Sequence, residues 1–372
     1  MSVLKYFVIF IPISLGLHFL APHTTTVQIL LFLSACLAIL PLAGYMGHST
    51  GELSKHLGPT IGALLNATFG NAAELILAVL AVRAGLLDMV QASLAGSIIG
   101  NLLLVLGIAI LSGGWKRKTQ KFNATLAGTH ASSLLLAVGG LMLPAIFVHT
   151  HPGLSHEHAG THSPAVWSLS IGVAAVLMTM YLAGLLFTLK THVAVFGCQD
   201  EAETPHWTKR RAMTTLGVST AFVAWMAEIL VHTVEPMTEA LHLSPIFVGI
   251  IIIPLISNAA ENSSAVTMAL QDKMDVALGI ALGASTQIAL FVAPVLVFVS
   301  VLFGQHLSLI FTQVELVTLV FAVAIVSFVA HDGETHWLEG AQLIALYVVI
   351  ALAFFFMPPV LNAPPHVGAP AH

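Results

Sequence analysis

Apolar residues fall into long, nearly unbroken runs along this chain, and the charged residues collect in the short stretches between them. The runs predict eleven helices, at roughly 4–20, 27–47, 60–82, 88–112, 126–148, 167–189, 212–234, 245–269, 276–303, 312–330 and 338–357. Crossing a hydrocarbon core of ~30 Å takes about 20 residues of α-helix. Backbone groups in lipid need internal partners, and these runs lack the strict alternation of barrel strands, so helices are selected. The fold class predicted is all-α integral membrane, multi-pass. The first run has a competing reading as a signal peptide, but it contains Pro12 and His18 and lacks a clear small-residue cleavage site.

Composition agrees with the pattern. Of 372 residues, 57% are hydrophobic and 8% charged, and the mean hydropathy is +0.95. A soluble domain carries about 25% charged residues. The bilayer is therefore a partner, and nothing basic is concentrated enough to suggest nucleic acid. Cys36 sits in an apolar run and Cys198 in a polar linker, which argues against a disulfide framework.

Positive charge sets the expected orientation. With eleven spans and a cytoplasmic N-terminus, Lys5, Lys55, Lys116, Arg117, Lys118, Lys121, Lys190, Lys209, Arg210, Arg211 and Lys273 fall inside and only Arg83 outside. The C-terminus is then external. Two linkers stand out. Residues 199–206 carry Asp200, Glu201 and Glu203 near the middle of the chain. The external stretch 149–162 holds His149, His151, His156, His158 and His162 with Glu157, and reads either as a metal-binding loop or as a solvated low-complexity one. Neither contains HExxH, so a zinc protease site has no support.

Shifting the chain against itself by 187 positions aligns two segments without a gap. Glu52 falls on Glu239, Gly62 on Gly249, Asn71-Ala72-Ala73-Glu74 on Asn258-Ala259-Ala260-Glu261, Asp88 on Asp275, and Gly96 on Gly283. Matched alanines in apolar helices are cheap coincidences; two glutamates, two asparagines and two aspartates in one register are not. In the expected topology the two Glu-bearing helices run in opposite directions. The predicted organisation is 1–26 as a first helix and loop, 27–198 as one five-helix repeat, 199–210 as an acidic cytoplasmic linker, and 211–372 as an inverted five-helix repeat with tail. Inverted repeats place transport sites near the membrane midplane at the repeat interface.

Glu74 and Glu261 are the central candidates, because an ionisable group at mid-span costs about 2.5–3.5 kcal/mol on insertion scales. The competing reading is that they are protonated or hydrogen-bonded packing groups. Gly70 and Ser257 start the two motifs, and small residues let backbones approach closely. Gly70 and Pro254 favour local unwinding that frees backbone carbonyls. Carboxylates with Asn71 and Asn258 make an oxygen-only donor set suited to a hard cation such as Ca2+. Two carboxylates neutralise one Ca2+ or take up two protons when it leaves, so competition between the two ions follows. Ser97, Asn101, Ser285 and Gln287 are supporting polar groups, with Asn101 and Gln287 placed as amides at the same depth or as ordinary interhelical hydrogen bonds. Glu228 is a third intramembrane acid, either a relay or a partner for His232. A channel needs no inverted pair of titratable acids, and an enzyme needs a nucleophile or activated water that the sequence does not offer.

These motifs resemble those of the cation/proton exchangers of the calcium/cation antiporter superfamily, over essentially the whole chain. The resemblance is carried by Gly70-Asn71-Ala72-Ala73-Glu74-Leu75 and Ser257-Asn258-Ala259-Ala260-Glu261, flanked by Leu64 to Phe69, Gly100 to Val105, Leu230-Val231-His232-Thr233, Lys273-Met274-Asp275 and Gln287-Ile288-Ala289. It implies one extra N-terminal helix outside two inverted five-helix repeats. It further implies Ca2+ exported or sequestered against H+, alternate binding of both at Glu74 and Glu261, no cofactor, and a trimer or dimer as family members form. A prokaryotic cell membrane is the expected location by the same analogy. The chain departs from the family pattern where the second motif has Ser257 instead of Gly and Asn262 instead of His. Asn does not titrate, which keeps Na+ as counter-ion, or another divalent such as Mn2+, as alternatives.

Overall fold

The computed structural model describes residues 4–22, 24–115, 117–151, 164–191 and 204–357. Helix dominates throughout. After a 3-10 segment (Leu4–Ile9) come α1 (Phe10–Leu20), α2 (Thr25–Leu57), α3 (Pro59–Phe69), α4 (Ala72–Arg83), α5 (Leu87–Gly114), α6 (Ala124–Thr150) and α7 (Pro164–Thr191). The second half holds α8 (Lys209–Leu241), α9 (Pro245–Ser257), α10 (Ala259–Leu270), α11 (Met274–Leu302), α12 (Gln313–Val329) and α13 (Trp337–Phe355). Among the described residues, seven helices are singly long and apolar enough to cross a membrane, and α9 with α10 forms a bent pair whose pieces diverge by 58°. Cys36 is buried in α2; Cys198, most of the His-rich stretch and the acidic residues of the linker lie outside the described residues.

The 187-residue register is visible in the backbone. Shifted by that amount, α4 (Ala72–Arg83) coincides end to end with α10 (Ala259–Leu270). The π-helical turns within α5 (Gly100–Val105) correspond to those within α11 (Ile288–Val292), offset by a single residue at the first end. Such turns leave backbone groups shifted from the regular ladder and recur at functional sites. Each half-helix pair breaks at the matched asparagine: Asn71 has φ −98° and ψ 25°, Asn258 φ −86° and ψ 1°. Gly70 keeps helical dihedrals (φ −54°, ψ −51°) and bonds its N–H to the Asn66 carbonyl, so the break falls one residue beyond the expected unwinding at Gly70, and none is found at Pro254. Pro254 lies inside α9, and π-helical turns at Val248–Ile252 absorb its missing N–H before the chain breaks at Asn258.

Two long helices exceed their sequence-predicted spans. α2 continues to Leu57 and α8 starts at Lys209 and ends at Leu241. The extra turns are polar, so hydropathy cannot detect them, yet they pair: α2 packs along α8, and Glu52 accepts a hydrogen bond from the Trp207 backbone N–H (2.8 Å). The sequence pattern also gave no hint of a two-stranded antiparallel ribbon, Gln120–Lys121 with Glu334–Thr335. Outward faces of α6, α7, α12 and α13 expose Leu135, Leu143, Leu182, Phe321, Phe328 and Val349, an apolar coat that water would not support.

Contacts between connecting segments sort into two sets. One joins Arg117 to Ala269 and Leu270 carbonyls (3.3 and 3.2 Å), Asn123 to Asp275 (2.5 Å), and His56 to the Trp207 carbonyl (2.7 Å). The other joins Arg83 to Glu228 (2.5 Å), Gln91 to the Ser308 carbonyl (2.6 Å), and Gln313 to His149 (2.6 Å). None of these pairs mixes the two ends of the helix bundle that the expected path defines.

Candidate ion-binding site

Glu74 lies in the first turn of α4 and Glu261 in the first turn of α10, each just past its asparagine break. A break there leaves the first N–H groups of the following helix without intrahelical partners and puts the positive end of its dipole in the protein interior. Both residues are of intermediate exposure, and Glu261 Oε2 itself is buried.

The two motifs meet reciprocally. The Ser257 hydroxyl lies against the Glu74 carboxylate. On the other side, a Cβ added at Gly70 would sit 3.7 Å from Glu261 Oε1. Residues 70 and 257 are the matched positions four residues before each glutamate, so each acid addresses the start of the opposite motif. Such exchange of equivalent contacts is what a two-fold relation produces. A side chain at 70 would crowd Glu261 and the Asn66 carbonyl, 2.7 Å from that Cβ.

A concentration of oxygens without protein partners marks the place. Around the second motif, Asn258 Oδ1, Glu261 Oε2 and Asn262 Oδ1 are buried without hydrogen-bond partners, as is Asn71 Oδ1 in the first motif. A buried polar atom left unsatisfied costs about 1–3 kcal/mol, so native proteins hold few of them and rarely together. With the carboxylates of Glu74 and Glu261, these amide oxygens make an oxygen-only set, the donor chemistry of a hard divalent cation. Asn71 uses its other end to donate from Nδ2 to Gln287 Oε1 (2.6 Å), linking α4 to α11.

Not every sequence-predicted residue joins this group. Asn101 is buried with Nδ2 unpartnered, and Ser97 is buried beside it in α5. Ser285 hydrogen-bonds to the Ala281 carbonyl one turn back in its own helix (2.8 Å), not to the acids. Glu228 stands apart, paired with Arg83 (2.5 Å) and His232 (3.3 Å) at the end of α4, with its side chain 34% exposed. A partly exposed ion pair satisfies it, so it is no unpaired intramembrane acid. Sequence reading missed Arg83 as its partner, because the two are 145 positions apart. It also missed the backbone contact of α5 with α9, where a Cβ at Gly96 would meet the Ile250 carbonyl oxygen at 2.1 Å; the matched glycines were the available signal.

Comparison with known proteins follows the same architecture. The family model described as sodium/calcium exchanger protein matches in two blocks, residues 27–190 and 211–356. The Ca2+/H+ antiporter of Aphanothece halophytica is 44% identical over 376 residues, covering 97% of each chain. The Ca2+/H+ antiporter ChaA of Bacillus subtilis is 41% identical, covering 88% of this chain and 92% of its own. The solved structure of the Ca2+/H+ antiporter protein YfkE superposes with a TM-score of 0.81 at 37% identity, over 96% of this chain and all of that one. On the family match and on both relatives, this chain belongs to the sodium/calcium exchanger protein family.

Proposed function

We propose that this protein is a secondary antiporter that exchanges Ca2+ for H+ across a membrane, with Glu74 and Glu261 holding Ca2+ and protons in turn. One observation carries the reading: buried oxygens without partners at Asn71, Asn258, Glu261 and Asn262 lie in and next to two matched motifs whose carboxylates address each other. Ca2+ takes six to eight oxygens, and this donor set fits it. When the cation leaves, two facing carboxylates lose their common counter-charge and take up protons instead. Relatives named as Ca2+/H+ antiporters support the same pair of ions.

In this reading the chain spans the membrane eleven times, α3 with α4 and α9 with α10 each forming one broken span. α1 stands outside two inverted five-helix repeats, supported by the 187-residue coincidence of helix ends and by the two-block family match. The N-terminus is cytoplasmic, as the distribution of Lys and Arg favours. Alternating access then exposes the glutamates to each side in turn.

The test is 45Ca2+ uptake into proteoliposomes under an imposed pH gradient, with a Na+ gradient as the parallel arm. Uptake that follows the pH gradient and disappears in Glu74→Gln and Glu261→Gln, both still folded, is the expected result. Full uptake by either variant would remove the site assignment. Na+ coupling is the second reading, favoured by Asn262, which puts a non-titrating side chain beside Glu261; uptake driven only by the Na+ gradient would establish it.

A further inference from the structure

Where α5 ends against the start of α13, the bundle carries a cavity of about 590 Å³ that the paired glutamates do not line. Its walls include Trp115, Arg117, Lys118, His336, Trp337 and Leu338. A second cavity of about 560 Å³ shares Trp115 and Arg117 with it and is lined also by Leu111 and Leu270. Trp115 lines both, with 73% of its surface exposed, and Trp337 is 48% exposed. Nothing in the proposed exchange uses these residues.

We propose that this rim binds the headgroup of an anionic phospholipid. The backbone makes a fixed frame, because a Cβ at Gly114 would lie 2.9 Å from the Trp337 nitrogen. Arg117 is held in place by the Gly113 carbonyl (2.9 Å), the carbonyls of Ala269 and Leu270 (3.3 and 3.2 Å), and Asp272 (3.2 Å). With its charge met by Asp272, it fixes the geometry of the rim at the ends of two helices. Lys118 is exposed beside it and supplies a movable ammonium. The nearby carboxylate of Glu339 is engaged by the Thr335 hydroxyl (2.5 Å) and by His336 (3.8 Å), so it does not close the pocket to an anion.

The lining matches a phospholipid on three counts. Cationic side chains meet the phosphate, as basic pockets between membrane helices do at a headgroup surface. Two indoles stand where Trp prefers to lie, at the boundary between acyl chains and headgroups. Leu111, Leu270 and Leu338 continue the walls as apolar surface that a free phosphate would leave unused. The proposal rests on insertion of this rim at a membrane surface and is independent of which ion is carried.

The experiment is native mass spectrometry of the purified full chain titrated with equimolar phosphatidylglycerol and phosphatidylcholine, with inorganic phosphate as a competitor in a separate arm. Wild type is expected to retain phosphatidylglycerol preferentially. Lys118→Ala weakens that retention about fivefold, the effect of one cationic side chain near a charged membrane surface, and Lys118→Arg restores it. Equal retention of the two lipids by wild type, or an unchanged preference in Lys118→Ala, would overturn the site. Displacement of phosphatidylglycerol by inorganic phosphate at matched concentration would overturn its assignment to lipid.

Discussion

Asn71 in one repeat donates a 2.6 Å hydrogen bond to Gln287 in the other, while its own carbonyl oxygen stays buried without a partner. The matched Asn258 has the same unpartnered oxygen, and no hydrogen bond from its amide nitrogen to another side chain accompanies it among the described residues. The two asparagines are therefore equal as candidate ion ligands and unequal as structural ties. Asn71→Ala and Asn258→Ala are both expected to raise the KM for Ca2+. Asn71→Ala also leaves Gln287 Oε1 without its donor, which costs about 1–3 kcal/mol and lowers Tm in detergent. Equal melting of the two variants would show that the amide link does not tie the repeats.

Gly96 and Gly283 match in the sequence register, but their surroundings differ. At Gly96 a Cβ would sit 2.1 Å from the Ile250 carbonyl oxygen and 2.6 Å from its Cα, whereas at Gly283 nothing lies within 4 Å. Backbone cannot give way as a flexible side chain can. Gly96→Ala is expected to destabilise by about 1–3 kcal/mol or more, the range of core overpacking, and Gly283→Ala to be tolerated. Fluorescence-detected size exclusion after stepped heating would measure this, and a tolerant Gly96→Ala would mean that α5 and α9 can separate freely.

These glycines illustrate how far the sequence could be read. Helix positions and the matched acids were legible, because apolar runs and a repeated Asn-Ala-Ala-Glu have local signatures, whereas the breaks fell at Asn71 and Asn258 rather than at Gly70 and Pro254. Contacts between distant elements were not. The Asn71–Gln287 bond, the Arg83–Glu228 pair and the Gln120–Lys121 ribbon each join residues more than 140 positions apart. Gly96 and Gly283 also look alike in register, and only tertiary packing tells which one supports a crossing. The helix extensions to Leu57 and Leu241 escaped for another reason: beyond the hydrocarbon slab, helix length no longer depends on hydropathy.

Glu228 and Arg83 pair at 2.5 Å with side chains 34% and 53% exposed. Pairs of this kind are typically worth about 0.2–1 kcal/mol. Glu228→Gln should consequently keep most exchange and lose little stability, and the small effect should shrink further at high salt. Loss of proton-driven 45Ca2+ uptake in this variant, with the protein folded, would instead make Glu228 a relay on the ion path.

Asn262 follows Glu261 directly and its Oδ1 is buried without a partner. Asn262→His introduces a group that titrates near neutral pH directly after Glu261 in α10. The pH dependence of exchange is expected to shift, with a larger change in rate between pH 6 and 7 than in the parent, the interval around the ordinary imidazole value. Superimposable pH profiles would reduce position 262 to packing.

Ca2+ and protons compete for the same two carboxylates in this mechanism, and that fixes both the sign and the steepness of a binding curve. Protons bind only the cation-free form, so acidification must weaken Ca2+ binding. If each Ca2+ displaces two protons, the apparent Kd rises towards about a hundredfold per pH unit at the acid end, and towards about tenfold if it displaces one. Glu74→Gln and Glu261→Gln retain a single carboxylate, so their slope cannot exceed tenfold even though affinity is lower. Calorimetric titration of Ca2+ at several pH values, in Na+-free buffer, reads this directly without needing turnover. A wild-type slope no steeper than that of the single variants would mean that one glutamate keeps its charge throughout. The second proton would then have to be replaced by another coupling ion, and Asn262 would be the first residue to question.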